Sequence, residues 1–187
     1  MKVEDAIQKR RAYRVFENEK VTDDAVKMLA TAVSLAPSCF NNQPWRLVFV
    51  RDKKTLRKLH EALSEGNGWA KEAPMIVAVF SKQEDDCNIG ERHYHQFDSG
   101  IAVGQMILQA TELGLVAHPI AGYNPERARD ILKIPGGYNI IALIIVGRHS
   151  QNIPEYFSEN QRLGEKQRPP RKGLDEVLYV DEYGKTL

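Results

Sequence analysis

Residues 36–45 read Ala-Pro-Ser-Cys-Phe-Asn-Asn-Gln-Pro-Trp, and the neighbouring elements can be worked out from this stretch in both directions. Proline at each end of its polar part stops regular structure, so a loop is predicted between a helix and a strand. Hydroxyl and amide side chains in the loop accept and donate hydrogen bonds, which suits a ligand with alternating N–H and C=O groups or a polyol chain. These side chains belong to Ser38, Asn41, Asn42 and Gln43. The alternative is ordinary turn chemistry, which favours the same residue types.

Upstream of the loop, apolar residues at helical spacing predict a helix that begins after Thr22 as N-cap and ends at Pro37. A shorter helix is predicted over residues 1–11, because acidic residues begin it and basic residues end it. Residues 10–14, Arg-Arg-Ala-Tyr-Arg, then bring three guanidinium groups together. Their mutual repulsion favours a bound anion such as phosphate, and the alternative is a solvated helix end.

Downstream of the loop, strands and helices alternate, which predicts a domain that mixes both. Residues 75–80 and 139–147 are continuous apolar runs, typical of strands buried on both faces. Helix 97–113 is apolar around most of its circumference, which indicates a central or interface helix. The remaining predictions are strands at 45–50, 115–120 and 177–180, helices at 52–63 and 124–132, and a polar loop at 83–92.

Length and charge indicate one domain with no polyanionic partner. The chain has 187 residues and a net charge of +1, which argues against nucleic-acid binding. No apolar run approaches the ~20 residues that span a bilayer. Cys39 and Cys87 form neither a CxxC pair nor a zinc-type spacing, so we expect a reducing, cytoplasmic setting and a structural role for Cys39. His93 and His95, near Asp85, Asp86 and Cys87, are interpreted as an exposed loop, with no metal site.

The last forty residues are more polar than the rest. Residues 148–187 are predicted to wrap over the main body or over a partner chain. Within them, Lys166 and Arg168 stand one residue apart before Pro169 and Pro170. Two cations on a stiff, extended segment would clamp a phosphate, and the alternative is a solvated tail.

Five segments, in this order, resemble motifs of the FMN-dependent nitroreductase family. The two most informative are residues 10–16, similar to the family's opening arginine motif, and residues 36–45, similar to its Ala-Pro-Ser…Asn…Gln-Pro-Trp segment. Three others are residues 98–102, 119–123 and 166–169, which resemble the start of its central helix, its strand-to-loop segment and its Lys-x-Arg. The resemblance extends over residues 7–180. It implies an α+β fold with a central mixed β-sheet flanked by helices, a long central interface helix, and a C-terminal arm over the partner subunit.

The resemblance also implies the residues that bind FMN. The phosphate and ribityl end would be held by Arg10, Arg11, Arg14, Lys166 and Arg168. Ser38, Asn41 and Gln43 would line the ribityl chain and the polar edge of the ring, with Ser38 and Asn41 coming from the partner subunit.

Further residues would lie beside the flavin ring. The backbone N–H of Ala121 or Gly122 would reach flavin N5, and Asn67 the pyrimidine edge. Two departures stand out, because Ala12 replaces the family's usual serine and Ala121 stands where relatives often have Gly or Glu. The first removes one hydrogen bond to the cofactor, worth about 0.5–1.5 kcal/mol.

The implied activity is hydride transfer from NADH or NADPH, through FMN, to a small acceptor such as a nitroaromatic or quinone. No side chain is required as acid or base, because the flavin carries the chemistry, and the kinetics would be ping-pong. The protein would be a homodimer with FMN at its interface. Alternatives are a protein that stores or senses FMN, a relative that performs reductive dehalogenation or flavin breakdown, and a phosphate-binding module without flavin.

Overall fold

A computed structural model describes the whole chain, residues 1–187, as a four-stranded sheet with helices on both faces. The α-helices are α1 Val3–Lys9, α2 Asp23–Ser34, α3 Lys53–Leu59, α4 His95–Glu112, α5 Pro125–Leu132 and α6 Glu159–Lys166. The strands are β1 Arg46–Val50, β2 Met75–Ser81, β3 Asn88–Ile89, β4 Arg92–His93, β5 Leu115–Ile120 and β6 Asn139–Arg148. Each of the helices and strands predicted between residues 1 and 147 is present.

The central sheet has the order β1-β2-β6-β5, and all its neighbouring strands are antiparallel. The α+β class is confirmed, but the prediction of a mixed sheet is wrong for this chain. Alternation of helices and strands does not fix strand direction, because a connection that contains a helix can return the chain to either end of the neighbouring strand.

The two inner strands separate two hydrophobic cores. Every residue of β2 is buried, and the side chains of β6 alternate between the cores. Ile145 joins Leu59 and Trp69 in one core, on the side of α3 and α5. Ile144 joins a second core on the side of α2 and α4, together with Leu29 and Met106. A sheet buried on both faces explains why these strands are continuously apolar rather than alternating.

Three segments differ from what was predicted for them. The helix predicted over 52–63 ends at Leu59 and continues as a 3-10 turn, His60–Ala62. The loop predicted at 83–92 contains the β3–β4 hairpin, whose strands are only two residues long and polar. The prediction of a strand at 177–180 is wrong. This segment comes after the 3-10 turn Leu174–Glu176, forms turns and bends, and has no strand partner.

The C-terminal region forms a helix that was not predicted. Helix α6 begins with a capping box, in which the Ser158 hydroxyl accepts from the N–H of Gln161 and the Gln161 side chain accepts from the N–H of Ser158. Only Glu165 of α6 is buried, so the hydrophobic pattern that reveals most helices is missing. No helix of the structure is both long enough and apolar enough to cross a membrane.

Deleting side-chain volume from either core should destabilise the protein to a similar extent. Ile144→Ala and Ile145→Ala each remove a fully buried side chain from a different face of β6. Each is expected to lower the free energy of unfolding by about 2–5 kcal/mol in urea titrations. Ile89→Ala, the same deletion at a half-exposed position, is the control and should have a much smaller effect. A negligible loss for either β6 variant would contradict a core on that face.

Candidate functional site

Five arginine side chains line one cavity of about 220 Å³ beside the C-terminal end of α1. They come from two distant parts of the sequence, the segment after α1 and the segment after α6. The lining residues are Arg10, Arg11, Ala12, Arg14, Gly164, Arg168, Pro169 and Arg171. This arginine cavity unites two basic clusters that the sequence places more than 150 residues apart.

Backbone carbonyls hold two of the arginines in place. The Arg168 guanidinium donates to the carbonyl oxygens of Gln8 at 2.6 Å and Arg10 at 2.7 Å. These carbonyls lie at the end of α1, where the last turn has no intrahelical donors left. Arg11 donates to the carbonyl of Gly164 at 2.9 Å, so α1 and α6 are linked in both directions.

A buried carboxylate fixes the middle of the arginine segment. One Glu165 oxygen accepts from the backbone N–H of Arg14 at 2.7 Å, and the other lies 2.9 Å from Nε2 of His149. The Glu165 side chain is only 2% exposed. The imidazole of His149 stacks on Tyr13 with 3.7 Å between ring centroids. The backbone path of residues 13 and 14 is therefore set by contacts inside the protein.

The arginine cavity contains more positive charge than the protein neutralises. Burial lowers the pKa of Arg10, and repulsion by Arg168, Arg171 and Arg11 lowers it further. None of these four arginines forms an ion pair with a carboxylate. A phosphate would relieve this repulsion and accept from several guanidinium groups at once. The residues present thus fit the phosphate of FMN.

A second part of the site surrounds Gly122, after β5. The Asn67 amide donates to the Gly122 carbonyl at 2.9 Å, and the N–H of Ser64 donates to the same oxygen at 3.0 Å. A Cβ on Gly122 would lie 2.5 Å from Nδ2 of Asn67, so a larger residue here would displace this amide from the Gly122 carbonyl. The backbone N–H groups of Ala121 and Gly122 have no acceptor in the protein. Two donors are therefore left available to a ligand.

The loop at residues 38–43 adopts an unusual backbone conformation. Phe40, Asn41 and Gln43 have positive φ angles of 47°, 58° and 50°, which cost free energy for residues with side chains. The Ser38 hydroxyl offsets part of this cost by accepting from the N–H of Gln43 at 2.9 Å. The N–H of Cys39 donates to Asp98 of α4 at 2.7 Å. The loop is thereby held against the start of α4, with its amide side chains exposed.

The two cysteines are bonded to each other, which the sequence did not indicate. Cys39 of the loop and Cys87 before β3 form a disulfide with Cα atoms 6.1 Å apart. It closes a segment of 48 residues. A crosslink of that span removes roughly 4 kcal/mol of chain entropy from the unfolded state in the simplest model. No short cysteine motif was available to predict it, because the pairing exists only in the fold.

The nitroreductase-family model matches residues 7–68 and 66–148. The chain belongs to the nitroreductase family. It is 29% identical over 170 residues to the NADH dehydrogenase of Thermus thermophilus, covering 74% of this chain and 82% of that protein. It is 28% identical to the iodotyrosine deiodinase of Haliscomenobacter hydrossis, over 69% of this chain and 75% of that protein. A solved oxidoreductase containing FMN superposes with a TM-score of 0.82 at 26% identity, covering 97% and 92% of the two chains.

The structure brings together some of the family-derived site residues and leaves others apart. Arg10, Arg11, Arg14 and Arg168 share the arginine cavity, whereas Lys166 is exposed and does not line it. Arg171, which the motif comparison did not select, is in the cavity. It belongs to the same basic run as Lys166, so charge alone would have indicated it.

The loop residues do not join this cavity within one chain. Ser38, Asn41 and Gln43 neither line it nor form a hydrogen bond with one of its arginines. Asn67 and Gly122, both of which the resemblance assigns to the flavin ring, contact each other. The single chain thus contains the site residues as separate groups.

One buried histidine packs behind the arginine segment. Nδ1 of His118 lies 2.9 Å from the carbonyl of Tyr13, and its ring lies 4.8 Å from that of Trp69. Burial lowers the pKa of His118 to about 4; the Tyr13 carbonyl partly opposes this shift, and nearby Arg14 adds to it. The imidazole is therefore neutral at pH 7 and donates to Tyr13.

His118 should make the protein less stable in mild acid. Its pKa in the folded state, about 4, lies below the unfolded value of 6.5, so the unfolded chain takes up the proton first as the pH falls. Stability is expected to decrease by about 3 kcal/mol between pH 6.5 and 4 from this group alone. Urea titrations across this range should show a shallower pH dependence for His118→Gln than for the unaltered chain. Equal pH dependence would contradict the buried neutral state.

Proposed function

We propose that the chain is an FMN-dependent oxidoreductase that transfers hydride from NADH or NADPH to a small acceptor. The observation that carries the proposal is the arginine cavity, with five guanidinium groups and no carboxylate partner for any of them. The same chemistry is supported by membership of the nitroreductase family. It is also supported by the names of the Thermus relative and of the FMN-containing structural neighbour.

The arginine cavity would bind the phosphate of FMN. Arg10, Arg11, Arg14 and Arg168 are the family-derived ligands, and Arg171 adds a fifth cation. Charged hydrogen bonds contribute about 1.5–3 kcal/mol each, so a few of them exceed the roughly 8 kcal/mol of a micromolar complex once ring burial is added. Ala12 contributes no side-chain hydrogen bond here, so Ala12→Ser would supply the one that most of the family has. Lys166, which lies outside the cavity, stays a prediction as a phosphate ligand.

The segment around Gly122 would orient the flavin ring. The N–H groups of Ala121 and Gly122 are free to donate to ring nitrogen and oxygen atoms, and Asn67 lies beside them. FMN, when bound, supplies the hydride-transfer chemistry, so no acid or base among the side chains is needed. These residues position the ring and keep one of its faces available to the nucleotide and then to the acceptor.

We propose that two chains complete each site in a homodimer. Leu35, Phe40 and Phe97 are 75%, 90% and 64% exposed and surround the loop at residues 38–43 and the start of α4. Such exposure of large apolar side chains in one region favours a protein interface. Gly100 and Gly104 on α4 would let a second backbone approach closely. Ser38, Asn41 and Gln43 would then reach the partner's flavin, and residues 174–187, which are largely exposed, would extend over the partner as the C-terminal arm.

The acceptor is proposed to be a nitroaromatic or a quinone, and the compartment the cytoplasm. Reductive dehalogenation is the second candidate, favoured by the relative from Haliscomenobacter that is named an iodotyrosine deiodinase. Comparing NADH-dependent turnover of a nitroaromatic, a quinone and a halogenated tyrosine separates these activities. A protein that binds flavin but turns over none of these three compounds would favour a role in FMN storage or sensing.

Reduction of bound flavin by NADH is the direct test of the proposed activity. The purified protein should show oxidised-flavin absorbance that bleaches when NADH is added without oxygen, and that returns when a quinone is added. Because donor and acceptor use the same flavin face in turn, double-reciprocal plots should be parallel. Intersecting plots would instead require a ternary complex, and flavin that NADH does not bleach would exclude the proposed reductant.

A shared site predicts complementation between two defective chains. One chain carries Arg10→Ala and Arg168→Ala in the arginine cavity, and the other carries Ser38→Ala and Gln43→Ala in the loop. Each homodimer should bind FMN at least a hundredfold more weakly than the unaltered protein, because about 3 kcal/mol of binding free energy is lost. A mixed dimer, isolated through two affinity tags, regains one intact site and should recover about half of the flavin. If each chain held a complete site, the mixed dimer would recover none.

A further inference from the structure

Two buried carboxyl groups and two partly buried sulfur atoms form a cluster between the loop at residues 38–43, the segment before β3 and the start of α4. The Sγ atoms of Cys39 and Cys87 and a carboxylate oxygen of Asp86 lie within 4.8 Å of one another. Asp98 is adjacent, since its carboxyl group is within hydrogen-bond reach of that of Asp86. We refer to Cys39, Asp86, Cys87 and Asp98 as the thiol–carboxylate cluster.

One oxygen in this cluster has no partner. Oδ1 of Asp86 accepts from the N–H of Cys87 at 2.8 Å and from the Asn42 amide at 3.3 Å. Oδ2 of the same side chain is buried and forms no hydrogen bond, although Asp86 is only 7% exposed. It can be satisfied only by a proton shared with the nearby carboxyl group of Asp98, or by a bound cation in that proton's place.

The cluster also lacks a basic side chain. Neither Asp86 nor Asp98 belongs to any of the protein's ion pairs, although both residues are buried. The neighbouring Asp85, in contrast, is partly exposed and pairs with Arg46. No lysine or arginine therefore neutralises the two carboxyl groups beside the sulfur atoms.

We infer that the reduced form of this cluster is a binding site for a thiophilic divalent cation, Zn²⁺, with Cys39, Cys87 and Asp86 as ligands. Two thiolates and a carboxylate suit zinc, and Asp98 or water completes a tetrahedron. The Asn42 amide, 3.7 Å from Sγ of Cys87, donates toward the sulfur and stabilises its thiolate form. His93 and His95, the histidines nearest in sequence, are outside the group whose ligand atoms lie within 4.8 Å of one another.

Only small movements separate the disulfide from the metal-binding form. Zinc–sulfur bonds of about 2.3 Å in a tetrahedron place the two sulfur atoms roughly 3.8 Å apart. With Cα atoms 6.1 Å apart, rotation of the two side chains is enough to reach this separation. Reduction by a phosphine and water gives two thiols and a phosphine oxide, and Zn²⁺ then displaces two protons. The disulfide and the zinc site are thus alternative states of one cluster, and the thiol state is the one expected in a reducing cytoplasm.

The test uses Co²⁺ as a spectroscopic probe on the full-length, flavin-loaded protein. After phosphine reduction and removal of metal, titration should give one Co²⁺ per chain, with ligand-field bands in the red, beyond the absorption of oxidised flavin, and thiolate-to-cobalt charge transfer as a difference signal in the near ultraviolet. Added Zn²⁺ should displace the cobalt and abolish these bands. The chain with its disulfide intact should bind none. Absence of binding by the reduced chain would overturn the inference.

Two aspartate variants with the same change in charge identify the carboxylate ligand. Asp86→Asn should weaken Zn²⁺ binding at least tenfold in competition with a chromogenic chelator, whereas Asp85→Asn, next in sequence but paired with Arg46, should leave it unchanged. Circular dichroism checks that each variant is folded. Should Asp86→Asn fail to fold, Cys87→Ser provides the second measurement, since it should halve the charge-transfer intensity. Binding unaffected by the Asp86 or Cys87 variant would show that the metal lies elsewhere.

Discussion

The buried carboxylate of Glu165 is the contact on which the arginine cavity depends. It is the only buried residue of α6, and it joins this polar helix to the N–H of Arg14 and to His149. A helix with so little apolar surface does not dock through hydrophobic burial, so directed polar contacts must hold it. Arg168 and Arg11 complete the junction by donating to carbonyls across it. The result is a rigid frame that presents positive charge in excess.

This frame explains how the protein tolerates clustered guanidinium groups without a ligand. Glu165 holds the backbone of the arginine segment from inside the protein and supplies one negative charge there. The guanidinium groups that line the cavity have no carboxylate partner. Repulsion among Arg10, Arg168 and Arg171 is then free energy that an anion recovers on binding. The loop at residues 38–43 is also held before any ligand binds, since hydrogen bonds to Ser38 and Asp98 fix its strained backbone.

The sequence predicts the elements with strong periodicity or long apolar runs, and it fails where other forces decide. β2 and β6 were predicted because two-sided burial makes them continuously apolar, and Thr22 and Asn124 marked the starts of α2 and α5 as N-caps. Helix α6 was missed because its docking is polar, and Ser158–Gln161 was its one local signal. The mixed sheet, which the family resemblance implied, was wrong for this chain, and nothing in the hydropathy pattern specifies whether neighbouring strands are parallel or antiparallel.

The candidate site was likewise predicted only in part from the sequence. The arginines and the loop amides were selected from residue chemistry and motif resemblance, and four of the arginines do share one cavity. Arg171 was not selected although it belongs to the same basic run as Lys166, and the thiol–carboxylate cluster was not selected because only the fold brings its members together. Cys39 and Cys87 are 48 residues apart, and no local pattern relates Asp86 to Asp98.

Comparing the binding of FMN with that of riboflavin tests whether the arginine cavity binds a phosphate. Flavin-free protein is titrated with each, following the quenching of flavin fluorescence. FMN should bind at least a hundredfold more tightly, because two or more charged hydrogen bonds of about 1.5–3 kcal/mol depend on its phosphate. Raising the salt concentration or introducing Arg10→Ala should reduce the ratio. Equal affinities for FMN and riboflavin would contradict the assignment of the cavity.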